Sequence, residues 1–73
     1  MIDRSAEVIR KFQAELNANA DHSRVRVVTS IDGNEEFYTV YLHKEGEDRF
    51  NEFHVRTSVD QDIDIPPYQE WWT

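Results

Sequence analysis

Between Ser5 and about Asn19 apolar residues return every three or four positions: Ala6, Ile9, Phe12 (or Gln13), Leu16 and Ala20. That spacing predicts an amphipathic helix with one apolar stripe. Arg10, Asn17 and the Glu7/Lys11 pair lie away from it. Asp3 or Ser5 is placed to cap its start, and Asn17, Asn19 and Asp21 mark its end. From Arg24 to Ile31 the period drops to two, with Val25, Val27, Thr29 and Ile31 facing one way and Arg24, Arg26, Val28 and Ser30 the other. Asp32-Gly33-Asn34 then reads as a hairpin turn. A second strand, about Glu36 to Lys44, is apolar on both faces and therefore central, with Phe37, Thr39, Tyr41 and His43 opposite Tyr38, Val40 and Leu42. Lys44 to Asp48 makes the next turn. The third strand, Arg49 to Val59, alternates Phe53, Val55, Thr57 and Val59. Phe50 is out of phase, which implies a bulge near Asn51 or an aromatic on the opposite face.

These elements predict an α+β fold, an N-terminal helix packed across a three-stranded antiparallel meander. The helix-plus-meander unit occupies residues 1–59, and residues 60–73 form an acidic, proline-containing aromatic tail. Pro66-Pro67 breaks any central strand there and favours extended backbone. Two placements of the tail are open. Trp71 docks beside Phe53 and leaves Trp72 exposed, or the whole segment serves as a flexible anchor for a partner groove.

Size and composition narrow the chemistry. A 73-residue chain is one domain near the lower limit for folding unaided; it buries only about 60% of its unfolded surface. Without cysteine it has no disulfides and no thiol chemistry, which points to a reducing compartment. Met1-Ile2-Asp3-Arg4-Ser5 runs straight into charge with no leader-like apolar stretch, and no run approaches the roughly 20 residues of a membrane span, so the cytoplasm is expected. Two glycines, Gly33 and Gly46, cannot form a phosphate loop, and no serine sits in a nucleophile-elbow pattern. Asp60-Gln61-Asp62-Ile63-Asp64 begins like a calcium loop, but its sixth and twelfth positions are Ile65 and Trp71 rather than glycine and glutamate. His22, His43 and His54 have no ligand spacing. No enzymatic activity, metal or cofactor is expected.

Charge points to a protein partner, and the chain is expected to be a monomer when alone. Through Ile31 the chain carries +1, and from Asp32 onward −8, for a net −7. Such acidity opposes nucleic-acid phosphates, even though Arg24 and Arg26 share a strand face with Tyr38 and Tyr41 nearby in the sheet. The candidate partner-binding residues are Arg24, Arg26 and Val28 on the first strand, Asp60, Asp62 and Asp64 as an acidic row, and Tyr68, Trp71 and Trp72 as aromatic anchors. The first strand is also a sheet edge, where Val25, Val27 and Val28 are guarded only by Arg24 and Arg26.

In size, helix-first order, acidic balance and absence of cysteine, the chain from Met1 to Thr73 resembles the small transcription regulators encoded by lytic phages, such as one of a Xanthomonas phage. The resemblance rests on the whole chain rather than on a motif, so it implies no individual site residues. It implies binding to host RNA polymerase near the N-terminus of the β′ subunit, hindered initiation through displacement of sigma factor, and antitermination. Two other readings stand beside it. One is a nucleic-acid mimic that arranges Asp32, Glu35, Glu36, Glu45, Glu47, Asp48, Glu52 and the tail aspartates in rows, to block a defence or DNA-processing enzyme. The other is a small accessory interaction domain.

Overall fold

The computed structural model describes residues 3–72; Met1 and Ile2, at the charged start, and Thr73, at the tail's end, lie outside it. The order is α1 (Ser5–Ala18), β1 (Arg24–Asp32), β2 (Glu35–Lys44), β3 (Arg49–Ser58) and a short 3-10 turn (Tyr68–Glu70). The sheet is antiparallel in the order β1-β2-β3, so β2 is central, as its two-sided apolarity predicts. The α+β arrangement is the one expected.

Both turns follow from their residues. Asp32 pairs with Glu35, which leaves Gly33 and Asn34 as the two loop positions. Gly33 is left-handed (φ 62) and Asn34 is not, the sign pattern of a type II′ turn with glycine first. The β2-β3 connection holds Glu45 to Asp48 between the paired Lys44 and Arg49, with Gly46 at φ 86. The β2-β3 pairing runs without interruption through Asn51, so β3 has no bulge there and Phe50 lies on the face away from the helix. Val59, expected to continue the buried alternation, is exposed, because the chain leaves β3 at Ser58.

The buried spine of α1 is Val8, Phe12 and Leu16 at four-residue steps. This corrects the expected stripe in part. Ala6 and Ala20 are exposed and Ile9 is 37% exposed, while Val8 takes the core position. Ile9 lies about 100° round the helix from Val8. A three-stranded sheet is too narrow to cover so wide a sector, and the helix backbone runs closest to β1. The strip left over β3 is filled by the tail, whose Ile63 and Trp71 join Tyr38, Val40, Leu42 and Val55 in one core. Trp71 is fully buried, with its ring centroid 4.8 Å from Phe12 and 6.2 Å from Phe53. Its indole N–H donates to the Pro66 carbonyl at 2.8 Å, so the extended prolines carry the acceptor that lets the ring enter.

The helix ends in a Schellman cap: Asp21 N–H donates to Leu16 O at 2.8 Å and Ala20 N–H to Asn17 O at 3.2 Å. The residue in the left-handed position is Ala20 (φ 52), where a Cβ is unfavourable. Replacing Ala20 with glycine is therefore expected to raise stability by about 1 kcal/mol, read as a higher urea midpoint at unchanged slope. Phe12→Ala empties the centre of the core and should cost about 3–5 kcal/mol. A Phe12→Ala melt that overlays the wild type would contradict the helix-on-sheet packing.

Candidate partner-binding surface

Among the described residues, one face of the sheet has no covering layer. Its rows follow from the strand pairing: Arg24, His43 and Phe50 lie across the sheet, then Arg26, Tyr41 and Glu52, then Val28, Thr39 and His54, then Ser30, Phe37 and Arg56, and finally Asp32, Glu35 and Ser58. Among the described residues, three of the five large exposed apolar side chains sit here: Val28 (47% exposed), Tyr41 (41%) and Phe50 (71%). Phe50 stacks on the His43 ring at 4.4 Å with only 4° between the planes. These residues and the two arginines line an open groove of about 760 Å³.

Charge divides sharply between this face and the rest. The face holds three bases (Arg24, Arg26, Arg56) and three acids (Asp32, Glu35, Glu52), so its formal charge is zero in a chain of net charge −7. Arg24 pairs with Glu45, Arg56 with Glu35 at 2.9 Å, and His54 with Glu52 at 3.1 Å. The acids off this face are spread over the helix, the β2-β3 turn and the tail of a molecule 39 Å long. Glu45, Glu47 and Asp48 occupy the β2-β3 turn, whereas Asp60 follows β3 at the hairpin end, beside the Val59 N–H that donates to Asn34 O. Glu36 is fully buried. Glu36, one of the acids named for a nucleic-acid mimic, is therefore not presented to solvent.

The nine sequence-derived candidates fall in three separate places. Arg24, Arg26 and Val28 are exposed together on the open face. Asp60, Asp62 and Asp64 are exposed on the tail. Trp71 is in the core, and Tyr68 and Trp72 are half-buried beside the end of α1, so the aromatics bind this chain's own helix and sheet. Of the two tyrosines placed near the arginines, Tyr41 shares their face and Tyr38 is buried under the helix. Among the described residues no three metal-ligating side chains come together, and no helix is long and apolar enough to cross a membrane.

Two buried carboxylates, not foreseen from the sequence, hold the tail and the helix start. Glu36 receives a fork from Arg4, with Nε at 2.9 Å and Nη2 at 3.1 Å, and a further hydrogen bond from the Tyr38 hydroxyl. Arg4 also donates to the Gln61 and Ser58 carbonyls at 2.8 and 3.0 Å, joining helix, sheet and tail. The Arg4 guanidinium holds Glu36 below its ordinary pKa against the opposing effect of burial. Asp21 accepts from Ser23 N–H (2.9 Å) and Oγ (2.5 Å), Tyr68 OH (2.6 Å) and Trp72 Nε1 (3.1 Å), with Lys44 at 3.9 Å. Burial by itself pushes Asp21 up; the Ser23 and Tyr68 hydrogen bonds and the Lys44 charge outweigh it and hold the carboxyl at about 2, below the ordinary 3.8. Lys44 and Arg49 lie 5.2 and 5.4 Å from the Trp72 ring.

Asp21 makes acid stability a direct readout of tail docking. Its folded pKa lies below the unfolded value, so its contribution is complete above about pH 4 and is lost as pH falls toward 2. The shift corresponds to on the order of 2 kcal/mol. Urea titrations at pH 5 and pH 2.5 should show this loss in the wild type, and a smaller one in Asp21→Asn. Equal losses in the two proteins would remove Asp21 from the account. Set against protein-family models, curated proteins and solved structures, the chain matches none significantly.

Proposed function

We propose that the chain is a small non-catalytic protein-binding module that captures an extended segment of its partner along the free edge of β1. The observation that carries this reading is the state of that edge. β1 is a nine-residue outer strand without proline or bulge, and among the described residues no backbone hydrogen bond outside the ladder reaches it. The Asp32–Glu35 pair closes a two-residue hairpin, so the even-numbered residues of β1 bond to β2. The N–H and C=O groups of Val25, Val27, Thr29 and Ile31 then point outward, a template for one more strand. Arg24, Arg26 and Val28 project beside that strand on the open face and read its side chains.

The partner put forward first is bacterial RNA polymerase, in the N-terminal region of β′, with hindered sigma engagement and antitermination as consequences. Support for this part comes from the whole-chain resemblance in size, element order, acidity and lack of cysteine. An acidic body also speeds encounter with basic protein surfaces.

Val27→Pro tests the edge directly. The Val27 N–H points away from β2, so proline there removes no ladder bond yet blocks an added strand. With the β′ N-terminal region as ligand, this variant should keep its circular-dichroism spectrum and lose binding by about a hundredfold or more, a main-chain ladder being the attachment. Wild-type affinity in Val27→Pro would refute the edge. No binding by the wild-type chain would refute the polymerase assignment.

A further inference from the structure

We infer that the uncovered sheet face is a self-association surface, on which a second copy of this chain packs about a two-fold axis running across the strands. This surface is distinct from the β1 edge, and its self-complementarity lies in the order of charges along the outer strands. Take the central row, Val28, Thr39 and His54, as the origin. On β1, Arg24 lies two rows to one side and Asp32 two rows to the other. On β3, Glu52 lies one row to the first side and Arg56 one row to the other. Four of the six charges on the face are thus antisymmetric about its middle; of the other two, Arg26 mirrors Ser30 and Glu35 mirrors His43.

A two-fold axis through that central row, in the plane between two facing sheets, exchanges the two sides and keeps each strand over its own copy. Arg24 then faces the second copy's Asp32, and Glu52 faces the second copy's Arg56, each pair occurring twice. Tyr41 lies over the second copy's Phe37, and Val28 meets Val28 on the axis. Closed two-fold contacts need this kind of self-complementarity, the same patch serving both sides. Aligned sheets packed about 10 Å apart supply the geometry, and the long arginine side chains span the twist between them.

Charge on the rest of the molecule selects this occupant. Two chains of net charge −7 repel wherever their remaining acids meet, but the open face has a formal charge of zero. It is also where Val28, Tyr41 and Phe50 are left in water. A nucleic-acid strand would find only three arginines here, each sharing the face with an acid. Three strands about 30 Å long and 4.8 Å apart cover on the order of 400 Å² per copy, at the low end of specific interfaces, so the dimer is reversible and concentration-dependent.

The test uses the full chain at several concentrations. Sedimentation velocity should show the weight-average mass rising from 8.7 kDa toward twice that value between micromolar and millimolar chain, and less steeply at high salt. Glu52→Arg and Arg56→Glu each place like charges across the axis and should weaken association about tenfold, whereas the double variant restores the pair and should return to within about threefold of wild type. Tyr41 and Phe37 are four residues apart on one strand, about 13 Å. An isotope-filtered contact between their rings in a mixed labelled and unlabelled wild-type sample therefore identifies this dimer even if a variant fails to fold. The monomer expected from the sequence is the competing outcome. A chain that stays monomeric at millimolar concentration, a charge swap without rescue, or loss of association in Val27→Pro alone would each overturn the face-to-face dimer, the last in favour of edge pairing.

Discussion

A single helix and a short tail can cover only one face of a sheet, and the rest of this structure follows from that shortage. Val8, Phe12 and Leu16 cover the β1 and β2 side, and Ile63 and Trp71 complete the cover over β3. Among the described residues nothing remains for the second face. It carries a mixture of charged, aromatic and β-branched residues, where a fully solvated face would be uniformly polar and a buried one uniformly apolar. Among the described residues the same shortage leaves β1 without a neighbouring strand on its outer side. Both places to which binding is assigned are consequences of how little chain there is.

A core this small needs its ends held, and without cysteine the chain holds them with ionic hydrogen bonds. Arg4 and Glu36 join the start of the helix, the start of β2 and the turn into the tail. Asp21 joins the end of the helix to the last aromatic residues. Among the described residues every buried side-chain nitrogen and oxygen has a partner, so neither carboxylate is left with an uncompensated charge. The two clamps sit at opposite ends of the core, and each ties together segments that backbone ladders do not connect.

The sequence made the elements legible because each has its own period. The switch from three-and-four to two separates α1 from β1, and apolarity on both faces identifies β2 as central. Asp32-Gly33-Asn34 marked the hairpin, and the strand pairing narrows its loop to Gly33 and Asn34. The rotation of α1 was less legible: Ile9 and Val8 are equally apolar, and only the width of the sheet and the docked tail decide between them. The clamps were not legible at all, since Glu36 meets Arg4 across 32 positions and Asp21 meets Trp72 across 51. No local pattern encodes such pairs. The aromatic patch on the open face was foreshadowed by Phe37, Tyr41 and His43 on one face of the second strand and by Phe50, out of phase with its own strand.

The placement of the indoles has an experimental consequence. Both tryptophans of the chain lie on the helix side, Trp71 in the core and Trp72 against Asp21, Lys44 and Arg49. The open face has Phe37, Tyr41 and Phe50 but no indole. Intrinsic tryptophan emission is therefore a gauge of tail docking and is spectroscopically blind to whatever settles on the sheet. A titration that leaves the emission unchanged says nothing against binding there, and an occupant of that face has to be followed through tyrosine, backbone amides or hydrodynamics.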